Sequence, residues 1–199
     1  MNSENKKLNM TRQIILIASF FPVLLWGQAP EPIIKAPETW NSELINFPLA
    51  FAPEIQLEGF EDIRFAPGWS DPNSDQFWTY HFTWVLEKPV ELDAAYLERT
   101  LTIYFDGLTK TVIDQMSNNS ITEKPAKPIC QFQKTGNRFT GTVKIFDAFH
   151  TMDVINLNIK VRKRNCTASG KQLISFELSP KPFENQVWNI FKEIKIICE

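Results

Sequence analysis

The sequence predicts an α+β domain, an antiparallel sheet of about six strands packed on one long helix, with a short helix near the C-terminus. Three observations carry that reading. The run Phe77 to Leu86 (FWTYHFTWVL) alternates, with Trp78, Tyr80, Phe82, Trp84 and Leu86 on one face and Phe77, Thr79, His81, Thr83 and Val85 on the other. From Leu97 to Met116, apolar residues recur at helical spacing. Beyond residue 128, short strand-like segments are separated by turn formers, the pattern of an antiparallel meander. A β-sandwich or barrel with an accessory helix is the other arrangement compatible with this order of elements.

Composition narrows the class. The chain has 199 residues, 43% hydrophobic and 13% aromatic, with 21 Lys and Arg against 23 Asp and Glu. That balance excludes a disordered chain, a collagen-like repeat and a coiled coil. Near-neutral charge excludes a protein built to coat nucleic acid, so no nucleic-acid partner is expected.

Residues 1–27 read as a signal peptide. Lys6, Lys7 and Arg12 form a basic head before the uncharged apolar run Ile14 to Leu25, and Gly27 is suited to the position before cleavage. An apolar run of that length rises only about 18 Å as a helix, short of a roughly 30 Å hydrocarbon core. The chain is therefore expected to be exported, periplasmic or secreted, with no integral membrane segment after cleavage. Without its leader it carries 18 basic and 22 acidic side chains.

Residues 28–53 form a proline-rich extended lead-in, since Pro30, Pro32, Pro37, Pro48 and Pro53 fix φ and withhold donors. Its apolar residues, among them Trp40, Phe47, Leu49 and Phe51, place its later part over the core. The single α+β domain is expected over 54–199. Ile55 to Phe65 reads as a strand interrupted at Gly59, and Ala66 to Asp75 as a loop dense in turn formers. Asp93 caps the helix, whose inward residues are Leu97, Leu101, Tyr104, Phe105, Leu108, Val112 and Met116. Gly107 interrupts it at a cost near 1 kcal/mol relative to Ala, a cost explained if a neighbour approaches closely. After the polar break Ser117 to Pro128, strands are expected at Ile129 to Lys134, Phe139 to Phe149, Val154 to Arg164 and Leu173 to Leu178. Phe183 to Ile197 reads as the short helix, with Val187, Trp188, Phe191 and Ile194 inward.

Cys130, Cys166 and Cys198 allow one disulfide and one leftover thiol, and their spacing matches no zinc or redox motif. A hairpin about Gly136 sets Cys130 roughly 16 Å from the end where Cys166 lies, beyond disulfide reach. Cys166 with Cys198 is the expected pair.

Candidate chemistry is sparse. Asp71, Asn73 and Asp75 resemble the opening of a calcium loop, yet the sixth and twelfth positions hold Gln76 and Phe82 instead of Gly and a carboxylate. The simpler reading is an Asx-rich turn, with a metal site of another architecture as the functional one. His81 could act as a base or bind a ligand, against a purely structural role; His150, in a turn, reads as solvated. The aromatic stripe of Trp78, Tyr80, Phe82 and Trp84 reads as core before it reads as a cavity wall. Trp69, on a loop free of strand alternation, is the better ligand-binding aromatic. Lys160, Arg162, Lys163 and Arg164 form the one basic cluster; three share a side that could receive a phosphate or sulfate, although a solvated outer face is the plainer reading.

Two segments, Arg64-Phe65-Ala66-Pro67-Gly68-Trp69 and Tyr104-Phe105-Asp106-Gly107-Leu108, resemble a family of exported bacterial proteins of unknown function. The resemblance implies an exported, bacterial protein and supplies no active site. Taken together, the sequence reads as a non-enzymatic binding module for a small molecule or an exported protein partner, with no cofactor implied. Its ligand is expected between sheet and helix or under the Trp69 loop. The alternative is a metal- or water-dependent hydrolase using Asp71, Asp75 and His81.

Overall fold

The computed structural model describes residues 30–116 and 125–198. The expected leader, and most of the polar break after the helix, lie outside those residues. The elements in chain order are β1 (Ile34–Lys35), β2 (Asn41–Asn46), β3 (Gly59–Phe65), β4 (Tyr80–Leu86), α1 (Ala94–Gln115), β5 (Ile129–Thr135), β6 (Arg138–Asp147), β7 (Asp153–Asn165) and β8 (Gln172–Ser179). A 3₁₀ helix, Gln186–Glu193, and β9 (Lys195–Ile196) complete the chain. Seven strands form one antiparallel sheet in the order β2-β3-β4-β8-β7-β6-β5, and β1 pairs with β9. The architecture is α+β, as the alternation and the helical spacing require.

Strand alternation gives this sheet two different faces. On the inner face lie Tyr80, Phe82, Trp84 and Leu86 of β4, beside Ile174, Phe176 and Leu178 of β8 and Leu157, Ile159 and Val161 of β7, all buried. α1 covers them with Leu97, Leu101, Tyr104 and Phe105. The ring of Phe82 stacks 4.3 Å from Phe176 and 5.6 Å from Tyr104, so the aromatic stripe is packed core. Asp93 starts the helix by accepting the Tyr96 N–H at 2.7 Å, one of the donors a first turn leaves unpaired.

Gly107 sits where the lead-in crosses α1. A Cβ there would fall 1.9 Å from the Phe51 carbonyl oxygen. Ala is the better helix former by about 1 kcal/mol, but backbone cannot yield as a side chain does. Gly107→Ala is therefore expected to destabilise the fold by about 2 kcal/mol, read by urea denaturation. A variant as stable as the parent would show that the crossing relaxes without cost.

One carboxylate lies inside the inner layer. Glu61 of β3 is wholly buried opposite Trp84, whose indole N–H donates to Oε2 at 2.7 Å, while the Tyr104 hydroxyl meets Oε1 at 2.8 Å. Burial pushes its carboxyl up to about 7, against the lowering effect of those two hydrogen bonds.

Several boundaries differ from the sequence reading, each for a local reason. The lead-in is not wholly irregular: Asn41–Asn46 joins the sheet as an edge strand against β3. Its sequence, NSELIN, is mostly exposed and so lacks an apolar alternation to announce it. β3 begins at Gly59, whose φ of +128° and whose approach to the Val85 carbonyl exclude a side chain. β4 begins three residues late, because Trp78 takes φ +50° and donates its N–H to the Trp69 carbonyl to close the preceding loop. The C-terminal helix is 3₁₀ and gives way to β9. Trp188, Phe191 and Ile194 are spaced by three, the period at which a 3₁₀ helix lines up side chains.

The outer face is covered by this C-terminal strap at the β4–β8 side and left open over β6 and β7. Cys166 and Cys198 are bonded, with Cα atoms 5.3 Å apart, and tie the strap to the end of β7. At β3, Asp62 accepts the N–H groups of Ile33 and Ile34 at 2.8 and 2.9 Å, and Arg64 donates to the Ile34 carbonyl at 2.8 Å. Those bonds seat β1 against the same face, where it pairs with β9. Among the described residues no helix is long and apolar enough to cross a membrane.

Candidate functional site

Between the strap and the outer face of β6, β7 and β8 runs a groove of about 820 Å³. Its floor follows from register. Across one row of the sheet lie His81, Glu177, Lys160 and Thr140; across the next lie Thr83, Ser175, Arg162 and Arg138. Directly opposed side chains in such rows stand about 5 Å apart at Cβ. Arg164, two residues along β7 from Arg162, extends the cationic side. The strap supplies Trp188 and Phe191 as an aromatic wall, with Lys192 and Lys195 at its rim.

The charges in the groove are strongly one-sided. Six cations line it, Arg138, Lys160, Arg162, Arg164, Lys192 and Lys195, against the single carboxylate of Glu177. None of the six belongs to an ion pair among the described residues. Arg138 and Arg162 face each other across the β6–β7 ladder, where like charges repel unless something negative lies between. Lys160 is held in place by its ammonium, 4.2 Å from the centre of the Trp188 ring. Burial lowers its basicity, and burial likewise raises Glu177, which Arg162, Lys160 and Arg138 draw back toward the ionised form.

His81 lies on this floor, 2% exposed. Its Nε2 meets Thr83 Oγ1 at 3.0 Å, and that hydroxyl donates onward to Ser175 Oγ at 3.0 Å. A hydroxyl that has given its own proton away must accept from the ring, so the imidazole proton sits on Nε2. Nδ1 is then a bare acceptor, buried and without a protein partner. Burial, then Arg64 and Arg162, push the ring down to about 3, which keeps it neutral.

The other sequence-selected residues lie elsewhere. Trp69 is half-buried beside the inner face, its ring 4.5 Å from Phe65 and 5.1 Å from His150. His150 is not the free surface residue its turn suggested: it packs against Trp69 and Phe77, and its Nε2 is buried. Asp71 accepts from the backbone and side-chain nitrogens of Asn73 at 2.9 and 3.3 Å, an Asx turn within the loop. Asp75 instead pairs with Lys181 at 3.0 Å. His81 lines the groove and Asp71, Asn73 and Asp75 do not, so the four do not form one site. Among the described residues no three His, Cys, Asp or Glu side chains gather as metal ligands. The space between sheet and helix, the other expected ligand position, is filled by wholly buried Phe82, Trp84, Phe105 and Phe176.

Sequence reasoning found Lys160, Arg162 and Arg164 on one side of a strand, but not their partners. Arg138 follows the Gly136-Asn137 turn directly, and a ladder drawn from β6 to β7 would have set it beside Arg162. Alternation of Ile174, Phe176 and Leu178 inward likewise turns Ser175 and Glu177 outward. No family model, no curated protein and no solved structure matches this chain, so a functional reading rests on its own geometry.

Proposed function

We propose that this chain is an exported, non-enzymatic binding module whose outer-face groove takes an anionic ligand. The observation that carries the reading is the excess of six unpaired cations over one carboxylate in a walled groove, on a chain whose overall charge is negative. A solvated basic face needs no wall and no aromatic residue clamping a lysine. The volume lies in the range of small-molecule sites. The disulfide supports export, since such bonds persist in oxidising compartments.

Titration of the chain from Gln28 onward with sodium sulfate, followed by backbone amide shifts, tests the proposal. Shifts are expected to concentrate on β6, β7 and β8 around Arg138 and Arg162. Arg162→Gln is expected to weaken sulfate binding about tenfold, the loss of one charge-assisted hydrogen bond. Shifts scattered over the surface, or unaltered in that variant, would remove the groove as the site. The alternative, a hydrolase drawing on Asp71, Asp75 and His81, is not favoured by their placement. Of those three only His81 lines the groove, where the carboxylate opposite it is Glu177.

A further inference from the structure

Resting on that reading of the groove, we infer that its ligand is an acidic sugar, an anionic group carried on a hydroxyl-bearing ring. Cations alone would take any anion of suitable size. This groove also holds two acceptors that a bare anion leaves unused. His81 lines the groove and its Nδ1 is a buried lone pair with no protein partner, the ring proton being committed to the Thr83–Ser175 chain on the other side. Beside it, in direct register, stands the Glu177 carboxylate, which accepts no hydrogen bond from any described residue and closes no ion pair. For the buried Nδ1 of His81 the missing donor is a standing cost, met when a ligand brings one, whereas the half-buried Glu177 carboxylate offers a free acceptor beside it.

The two kinds of group are sorted by strand. On the sheet floor the acceptors sit on β4 and β8 and the cations on β7 and β6, while Lys192 and Lys195 stand above them at the rim of the strap. Strands lie about 4.8 Å apart, so acceptor and cation zones are separated by roughly 5–10 Å. A ligand fitting both must present donors at one end and negative charge at the other over that span. A sugar ring carrying a carboxylate or a phosphate does so, because its hydroxyls donate to Glu177 and His81 while its anion faces Arg162 and Arg138. Bidentate guanidinium geometry suits either anion. A hydroxyl-free acid reaches the arginines and strands both acceptors, and sites built around hydrogen bonds reject ligands that lack them.

The experiment compares matched probes on the chain from Gln28 onward by amide-shift titration: D-glucuronate against cyclohexanecarboxylate, and D-glucose 6-phosphate against inorganic phosphate. Each sugar is expected to bind at least tenfold more tightly than its hydroxyl-free partner, and to move the ¹⁵N resonance of His81 Nδ1. The sugar with the larger preference identifies the anion as carboxylate or phosphate. Glu177→Gln is expected to reduce the preference for glucuronate over cyclohexanecarboxylate at least fivefold. His81→Phe should act in the same direction, and the half-buried Glu177 position and the unmodified chain supply the test should that variant not fold. Equal affinity within each matched pair, with shifts still in the groove, would overturn the acidic-sugar inference and leave the anion site standing. Absence of groove binding by all four probes would overturn the anion site itself.

Discussion

Replacing Cys166 and Cys198 with serine is expected to lower the stability of the fold by about 3–4 kcal/mol. The bond spans 32 residues of sequence, and a closed loop of that length restricts the unfolded chain by about that amount in the chain-entropy description. Native packing adds to the effect, because Cys166 is buried beside Phe60, Val85 and Leu173, where a serine hydroxyl has no apolar role. The consequence falls unevenly. The inner layer makes its contacts without the disulfide, whereas the strap bearing Trp188 and Phe191 is tethered at its end by Cys198 and by the two-residue β1–β9 pairing. Urea denaturation of the doubly substituted chain beside the parent checks the magnitude. A loss below about 1 kcal/mol would mean that the strap is held by its packing and not by the bond. Sulfate affinity measured on the same sample should fall with it, since one wall of the groove is no longer fixed.

The second large effect concerns Glu61 and is a matter of pH. Its carboxyl titrates near 7 in the fold against an ordinary 4.5, so the folded chain keeps a proton that the unfolded chain has released. Stability from this group is complete below pH 4.5 and is lost as pH rises through about 7, a total of about 3 kcal/mol. His81 works in the opposite sense. Its folded value near 3 lies below the ordinary 6.5, so its contribution is present above 6.5 and is lost as pH falls toward 3. Between pH 4.5 and 6.5 these two slopes oppose each other. Glu61→Gln keeps the shape and the acceptor oxygen but removes the titration. In that variant the Glu61 slope is absent, so the difference from the parent should change by about 3 kcal/mol between pH 4.5 and 7.5. Denaturation midpoints at pH 4.5, 5.5, 6.5 and 7.5 decide it. Parallel curves for the two proteins would mean that Glu61 is ionised throughout, with the Trp84 indole and the Tyr104 hydroxyl sufficient to hold its charge.

What the sequence revealed and what it concealed divide along physical lines. Alternation in β4 depends on one face being apolar, so it placed Tyr80, Phe82 and Trp84 on the inner side without knowledge of the partners. Helical spacing and the Asp93 cap placed α1 within a residue or two of its observed bounds. The edge strand β2 escaped notice because an exposed edge need not be apolar. Glu61 escaped because a carboxylate on a strand reads as solvent-facing until its neighbours are known to be an indole and a phenol. The groove was half visible. Lys160, Arg162 and Arg164 share a face by spacing alone, but Arg138, Glu177 and His81 join them only through the register of four strands, and Trp188 only through a strap that returns from the far end of the chain. Local sequence carries faces; it does not carry which strands are neighbours. Trp69 shows the converse: freedom from alternation marked it as a ligand-binding aromatic, and the structure packs it against Phe65 and His150.

The pairing of β1 with β9 bears on how far the fold depends on the order of its chain. Ile34 lies opposite Ile196, and Lys35 opposite Lys195, so the two ends of the described domain are neighbours on one face. The Gly136-Asn137 turn is exposed, with open space around Gly136. A short linker between the present ends and a break at that turn would preserve each ladder of the sheet, the disulfide and the groove. Architecture and connectivity are thus separable in this molecule: the domain is a closed circuit, and where its sequence begins is a choice that the packing does not enforce.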